Sequence, residues 1–293
     1  MFQMKLSYFT LDETFPFFIQ YGMHKENLFL HSHEDFSELV IVLSGTATHL
    51  VNDEEFYITK GDVFIIGADT VHGYQDTHDF HICNIMFQND FFFENEYDIK
   101  KTPGFQGLFI IEPILSQKRH FHNMLKLDLY DFETVKKMID RMIEEYYVKQ
   151  AGYKTLLTGC FYELSVMLSR LYTKSGEHSE NDVIGMAKSI AYLESHYMEE
   201  LTLKEIAKIA GFSPRHFSRR FYEIKQTTPV HYIQLMRTQQ AAFYLKSTDL
   251  PVSIIAAKCG FSDSNYFSRL FKKHYKVSPS EFRKKNSQHI ILT

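Results

Sequence analysis

The segment Ile206–Ser213, IAKIAGFS, returns as Ile255–Ser262, IAAKCGFS, at an offset of 49 residues. Phe217-Ser218-Arg219-Arg220-Phe221 then returns as Phe267-Ser268-Arg269-Leu270-Phe271, and Pro229 as Pro279, at an offset of 50. One inserted residue after the shared Gly-Phe-Ser turn accounts for the change. A chain with this internal repeat must build its C-terminal part from two copies of one supersecondary unit, joined by a helical stretch near 229–247. That limits its folds more than any compositional figure does.

Each copy carries its own start and stop signals. Thr202 and Glu205 form a capping box before Ile206, and Pro251 opens the second copy. Gly211 and Gly260 end the first helix, where a residue free to take positive φ suits a tight turn. Ser213 and Ser262 are expected to cap the next helix. On that second helix Phe217 and Phe221, or Phe267 and Phe271, are spaced i,i+4 and should be buried. The opposite face offers Arg215 and Arg219, four apart and therefore one above the other. In the second copy the equivalent face is Asp263, Ser264, Asn265, Ser268 and Arg269. This is helix-turn-helix logic, in which the second helix enters the major groove. Arg suits guanine, Asn adenine and Asp cytosine.

The charge agrees. Residues 182–293 hold 17 Lys+Arg against 9 Asp+Glu, a net of +8, which leaves −12 for residues 1–181 within a total of −4. One part attracts polyanions and the other repels them. Three widely spaced Cys (Cys83, Cys160, Cys259) cannot make a disulfide framework and fit a reducing, cytoplasmic setting. No run approaches a membrane span, and the acidic pair in MFQMKLSYFTLDETF argues against a signal peptide.

From about 28 to 90 the texture is short β-branched and aromatic runs: 38–43, 46–51, 56–59, 63–66 and 81–87. Ser44-Gly45, Asn52-Asp53 and Lys60-Gly61-Asp62 read as turns between them. Many short strands predict a β-sandwich or barrel. Segments near 131–150 and 154–173 place apolar residues such as Val135, Met138, Ile139 and Met142 at helical spacing. They are expected to serve packing and dimerisation. The best linker is the polar stretch 174–181.

GFSDSNYFSRLFKKHYKVSPSEFRK (260–284) resembles the C-terminal signature of AraC-type transcription regulators, and residues 183–285 cover their double helix-turn-helix domain. The resemblance implies two recognition helices in successive major grooves of double-stranded DNA. It implies base or phosphate contacts from Arg215, Ser218, Arg219, Ser264, Asn265, Ser268 and Arg269, with Asp263 beside them, and RNA polymerase as a partner. Lys272, Lys273 and Lys284 would position the DNA backbone.

His31-x-His33, Glu38 and Gly45 fit the first cupin motif. Gly61 and His72 fit the second, although Gly67 and Asp69 stand where that motif usually has Pro and Gly. His31 and His33 share a strand face, whereas Glu38 has the opposite parity and requires a turn or bulge over 34–37. Three imidazoles and a carboxylate suit a divalent transition metal with open positions, so His31, His33, Glu38 and His72 are candidate metal ligands. The same four, with Phe36 and Tyr74 to stack on a sugar ring, are candidate effector-binding residues. Residues 31–74 and the GFSDSN hexapeptide resemble the rhamnose-operon activators, which implies L-rhamnose as the first effector to try.

The expected fold is α+β: a cupin-like β-barrel sensing domain (1–115), a helical dimerisation and linker region (116–181), and an all-α domain of two helix-turn-helix units (182–293). The expected function is an effector-responsive, sequence-specific transcription regulator, an activator of carbohydrate-utilisation genes. It would act as a homodimer, without a required cofactor and away from membranes. The competing readings are a metal-dependent cupin enzyme with an attached DNA-binding domain, and a regulator of virulence or stress genes with a non-sugar effector.

Overall fold

The structure, a computed structural model, describes residues 2–24, 26–93, 98–117, 124–176 and 182–287. Its internal contacts divide the chain into two units, Met1–Ala191 and Tyr192–Thr293. The expected linker at 174–181 lies, from 177 on, outside the described residues.

The first unit is an eight-stranded sheet followed by helices. Its strands are β1 (Phe2–Met4), β2 (Phe17–His24), β3 (Leu28–His33), β4 (Ser37–Val51), β5 (Glu54–Thr59), β6 (Asp62–Ile66), β7 (His72–Phe87) and β8 (Leu125–Lys126). The order is β1-β3-β7-β4-β6-β8, with β2 added on β7 and β5 on β4. The long strands β4 and β7 pair antiparallel from Ser37 opposite Phe87 to Val51 opposite His72.

This corrects the reading of 38–43 and 46–51 as two strands around a turn at Ser44-Gly45. The chain runs on through, and register shifts between Val42 and Thr48 absorb the irregularity. Gly45 sits at φ +72°, and a Cβ there would collide with the carbonyl oxygens of His78 and Asp79. Its freedom from Cβ serves a bulge inside a strand rather than a hairpin.

Side-chain alternation divides the core into two layers. Leu39, Ile41, Val63, Ile65, Cys83, Ile85 and Phe87 pack outward, in one cluster with residues of the following helices. Val40, Val42, Phe64, Ile66 and Ile82 point to the other face, with Ala47, Val51, Tyr74 and Phe80. Along β4 the inner positions are even-numbered before the bulge and odd-numbered after it. Period-2 patterning survives only within each half of the strand.

The helices of this unit are α1 (Asn89–Phe93), α2 (Pro103–Phe105), α3 (Glu112–Gln117), α4 (Leu129–Val148) and α5 (Tyr153–Gly176), with a π-helical turn at Gln106–Ile111. Asp128 caps α4 by accepting from the Asp131 amide at 2.8 Å. Left-handed Lys149 ends the helix. Phe132, Val135, Ile139, Met142 and Tyr146 form its buried stripe, the 3–4 spacing that an amphipathic helix requires.

In the C-terminal part, α6 (Asp182–His196) spans the division and is followed by α7 (Leu203–Ile209), α8 (Pro214–Lys225), α9 (Pro229–Ser247), α10 (Val252–Lys258), α11 (Ser264–Tyr275) and α12 (Pro279–Ser287). The repeat is visible in three dimensions. The Phe217–Phe221 and Phe267–Phe271 ring pairs have the same 5.6 Å centroid separation, and all four rings are fully buried. The capping box at Thr202 and Glu205 is formed. Ser213 caps α8, accepting from the His216 amide at 3.3 Å.

The second copy departs from the expectation for Ser262. The cap of α11 is Asp263, whose Oδ1 accepts from the Asn265 and Tyr266 amides at 2.7 and 3.2 Å. Ser213 therefore corresponds to Asp263 at the offset of 50, and Ser262 is the inserted residue. No helix among the described residues is long and apolar enough to cross a membrane.

Candidate functional site

Two separate sets of candidate residues stand out. The first lies on α8 and α11. Arg215 and Arg219 are exposed on α8, with half-buried Ser218 between them. The Ser218 hydroxyl donates to the Pro214 carbonyl at 2.9 Å, which leaves its oxygen able to accept. Arg219 Nε stands 3.9 Å from Glu223 Oε1, a loose solvated pair that holds the guanidinium only weakly. On α11, Asn265 and Arg269 are exposed at the positions that match Arg215 and Arg219. Ser264 and Ser268 are half-buried, and Ser268 donates back to the Ser264 carbonyl at 2.8 Å. Asp263 is exposed but commits Oδ1 to the helix cap, so its first role is structural.

Sequence reasoning missed Arg237, the residue that ties the second copy down. From α9 its Nε donates to the Tyr197 carbonyl at 2.5 Å, one terminal nitrogen to Gly260 at 2.6 Å and the other to Glu199 at 2.7 Å. Gly260 takes φ +82°, and a Cβ there would strike the Met198 carbonyl and crowd this guanidinium. The glycine is thus required twice, by its conformation and by the arginine beside it. Nothing local to Arg237 announces a role that depends on carbonyls at least 23 residues away.

The second set lies on the inner face of the sheet. β3 supplies His31 and His33, β4 supplies Glu38 and His49, and β7 supplies His72 and Tyr74. The parity problem at Glu38 is resolved because a bend at Glu34-Asp35 separates β3 from β4. Pairing of His31 with His72 brings the two strands into register. Asp69, where the cupin motif usually has Gly, takes φ +60° and so fills that conformational role.

Nε2 of His72 lies 3.1 Å from Nε2 of His33 and 3.5 Å from Glu38 Oε2, which is also 3.6 Å from His33 Nε2. His31, His33 and His72 each offer a donor atom within 4.8 Å of the others. His49, which the motif does not contain, places Nε2 at 3.4 Å from His72 Nδ1. The register shifts between Val42 and Thr48 set its strand face.

Burial sets the ionisation of this cluster. It lowers His31 and, aided by neighbouring imidazoles, drives His33 and His49 down to about 3 and His72 well below its usual value. It pushes the Glu38 carboxyl up to about 8 and the Tyr74 phenol well up. At neutral pH the imidazoles are neutral and the carboxyl holds its proton, so the contacts to Glu38 are not ion pairs. Neutral imidazoles with lone pairs are also the form that binds a cation, and a bound ion would favour carboxylate in turn. The donor set therefore fits a divalent transition metal.

The two aromatics are part of this packing. Phe36 stacks on His33 at 4.3 Å, and Tyr74 lies 5.0 Å from His49 and 5.1 Å from Phe80. None of His31, His33, Phe36, Glu38, His72 and Tyr74 is more than 4% exposed.

Comparison with known proteins identifies both regions. Residues 17–164 match the AraC-like ligand binding domain family, and residues 206–285 match the helix-turn-helix domain family. The chain is 29% identical over 259 residues to the HTH-type transcriptional activator RhaS of Enterobacter sp. (strain 638), covering 87% of each protein. It is 26% identical over 262 residues to the HTH-type transcriptional activator RhaR of Pectobacterium atrosepticum, covering 89% of this chain and 88% of that one. An AraC-type regulator structure from Chromobacterium violaceum is 28% identical, with a TM-score of 0.34, over 36% of this chain and 93% of that one. With one match spanning half of the sequence and the other falling on the internal repeat, the chain belongs to the AraC family of DNA-binding transcription regulators.

Proposed function

We propose that this protein is an effector-responsive transcription activator that reads paired sites on double-stranded DNA with α8 and α11. The observation that carries the reading is the matched pair of exposed faces, Arg215 and Arg219 on one helix and Asn265 and Arg269 on the other, in a part of the chain with a net charge of +8. Base contacts fall to these four and to Ser218, Ser264 and Ser268. α9 has 19 residues and so spans roughly 28 Å, the order of the ~34 Å between successive grooves.

In this reading the inner face of the first unit receives a small polar effector, a sugar, among His31, His33, Phe36, Glu38, His72 and Tyr74. L-rhamnose is the first candidate, on the strength of the RhaS and RhaR likeness. The protein works in the cytoplasm as a homodimer through its α4–α5 region, and RNA polymerase is its downstream partner. It needs no cofactor for DNA binding. His31, His33, Glu38 and His72 are the residues that would hold a divalent metal, which would supply Lewis acidity toward an oxygen ligand.

Effector binding controls activity only if one state of the protein binds the effector more tightly than the other. A calorimetric and thermal-shift screen of monosaccharides tests the effector class. Binding of L-rhamnose or a relative is expected, and binding of only a different ligand class would contradict it. The likeness to transcriptional activators over most of the chain supports this reading over a metal-dependent enzyme.

A further inference from the structure

We propose that the cleft between α9 and α11 is a ligand site for a small organic anion with an apolar ring, and that its occupant competes with DNA for Lys273. The competition rests on the reading of α11 as a DNA-contacting helix, whereas the site itself does not.

The cleft follows from helical spacing. His231, Gln234, Leu235 and Thr238 stand at i, i+3, i+4 and i+7 on α9 and line one side, as residues on one helix face must. Leu270, Lys273 and His274 stand at i, i+3 and i+4 on α11 and line the other, around a volume of about 180 Å³. The α9 side is fixed by bonds within the protein. Thr238 is buried, and its hydroxyl donates to the Gln234 carbonyl at 2.7 Å, which leaves the oxygen able to accept. The Gln234 side chain donates to the Tyr266 hydroxyl at 2.7 Å.

The internal repeat shows that the fold does not require this lining. At the offset of 50, Leu270, Lys273 and His274 correspond to Arg220, Glu223 and Ile224. On α8 the Arg220 guanidinium donates to the Glu223 carboxylate at 2.8 Å, and Ile224 is 4% exposed. That surface neutralises and seals itself. On α11 the carboxylate is replaced by an ammonium and the buried isoleucine by an exposed imidazole.

The chemistry of the lining selects the ligand. No carboxylate is among the lining residues, so Lys273 and the imidazoles of His231 and His274 offer donors without an acidic group to balance them. Such a lining favours an anion. Leu235 and Leu270 favour an apolar body beside it, the mixture typical of small-molecule sites. A cavity of ~150 Å³ accommodates one benzene, so this volume admits a single ring. A carboxylate on such a ring reaches Lys273 while the ring rests on the leucines.

Lys273 lies one turn beyond Arg269 on α11, at i,i+4. An ammonium paired with a bound carboxylate is withdrawn from a DNA phosphate. Ligand and DNA must then weaken each other by the same factor.

The test titrates the full-length chain, without DNA, with benzoate by calorimetry. Benzamide controls for the charge and inorganic phosphate for the ring. Saturable benzoate binding is expected, with each control weaker by roughly tenfold or more. Lys273→Met keeps the alkyl stem and should weaken benzoate by a similar factor without changing benzamide. Leu235→Phe fills the cleft, keeps every basic group and should abolish binding. Circular dichroism establishes that each variant is folded; if Leu235→Phe is not, the Lys273→Met comparison decides. In a gel-shift assay, saturating benzoate should weaken DNA binding by the wild type and leave that of Lys273→Met unchanged. The site is overturned by no saturable benzoate binding, by wild-type affinity in Lys273→Met, or by phosphate binding as tightly as benzoate. A polyglutamate peptide that binds where benzoate does not would also overturn it, assigning the cleft to a protein partner. Unchanged DNA binding at saturating benzoate overturns the competition. DNA binding by the ligand-free protein, measured in the same assay, separates these failures from failure of the regulator reading.

Discussion

In the proposed reading Arg219 serves recognition, while Arg237 serves the architecture of the same unit. Arg219 is 69% exposed at its side chain, with five donors and only a loose partner, so on the proposed reading its guanidinium is available to DNA. Arg219→Ala should cost about 1–3 kcal/mol of discrimination at one base position and leave effector affinity unchanged. An equal loss on every operator variant would make it a phosphate contact. Arg237 spends its donors inside the fold, on three carbonyls. Arg237→Ala should lower the unfolding free energy by about 3 kcal/mol or more, because charged hydrogen bonds contribute ~1.5–3 kcal/mol each and are not additive. Arg237→Lys should recover only part, since an ammonium cannot reproduce the planar fork. Urea denaturation distinguishes the three proteins. The Arg219 face was legible in sequence because it follows helical spacing, and Arg237 was not, because its partners converge only in three dimensions. The same contrast separates His31, His33, Glu38 and His72, which a motif reveals, from His49, which it does not.

At the scale of elements, the helix-turn-helix copies were legible because every signal in them is local: a box at Thr202, glycines at 211 and 260, and phenylalanines four apart. The structure departs from the sequence expectation at the cap of α11, which is Asp263 rather than Ser262. Asp263→Ala should therefore cost about 1 kcal/mol, Asp263→Asn very little, and Ser262→Ala less than about 0.5 kcal/mol. Thermal unfolding of the three variants checks this, and a larger loss at Ser262 would contradict the cap assignment. The sheet was less legible. β4 reads as two strands because Ser44-Gly45 has turn chemistry, yet the long partner β7 carries it through a bulge. A single shift of parity there decides whether His49 points inward, and no local signal reports it.

At the scale of the molecule, the charge division has a physical consequence. The +8 of residues 182–293 favours approach to a polyanion, while the −12 of residues 1–181 disfavours it, so DNA engagement should be confined to the helical unit and weaken steeply with salt. The buried, neutral cluster on the sheet instead suits a ligand that brings its own polar groups or charge. The most direct test of the central claim is selection of binding sites from random duplex DNA by the full-length protein, repeated with Arg219→Ala and Arg269→Ala. The account predicts two enriched half-sites whose centres lie about 10–10.5 base pairs apart, with each variant relaxing a different half. A single enriched half-site, or no enriched sequence at all, would contradict it.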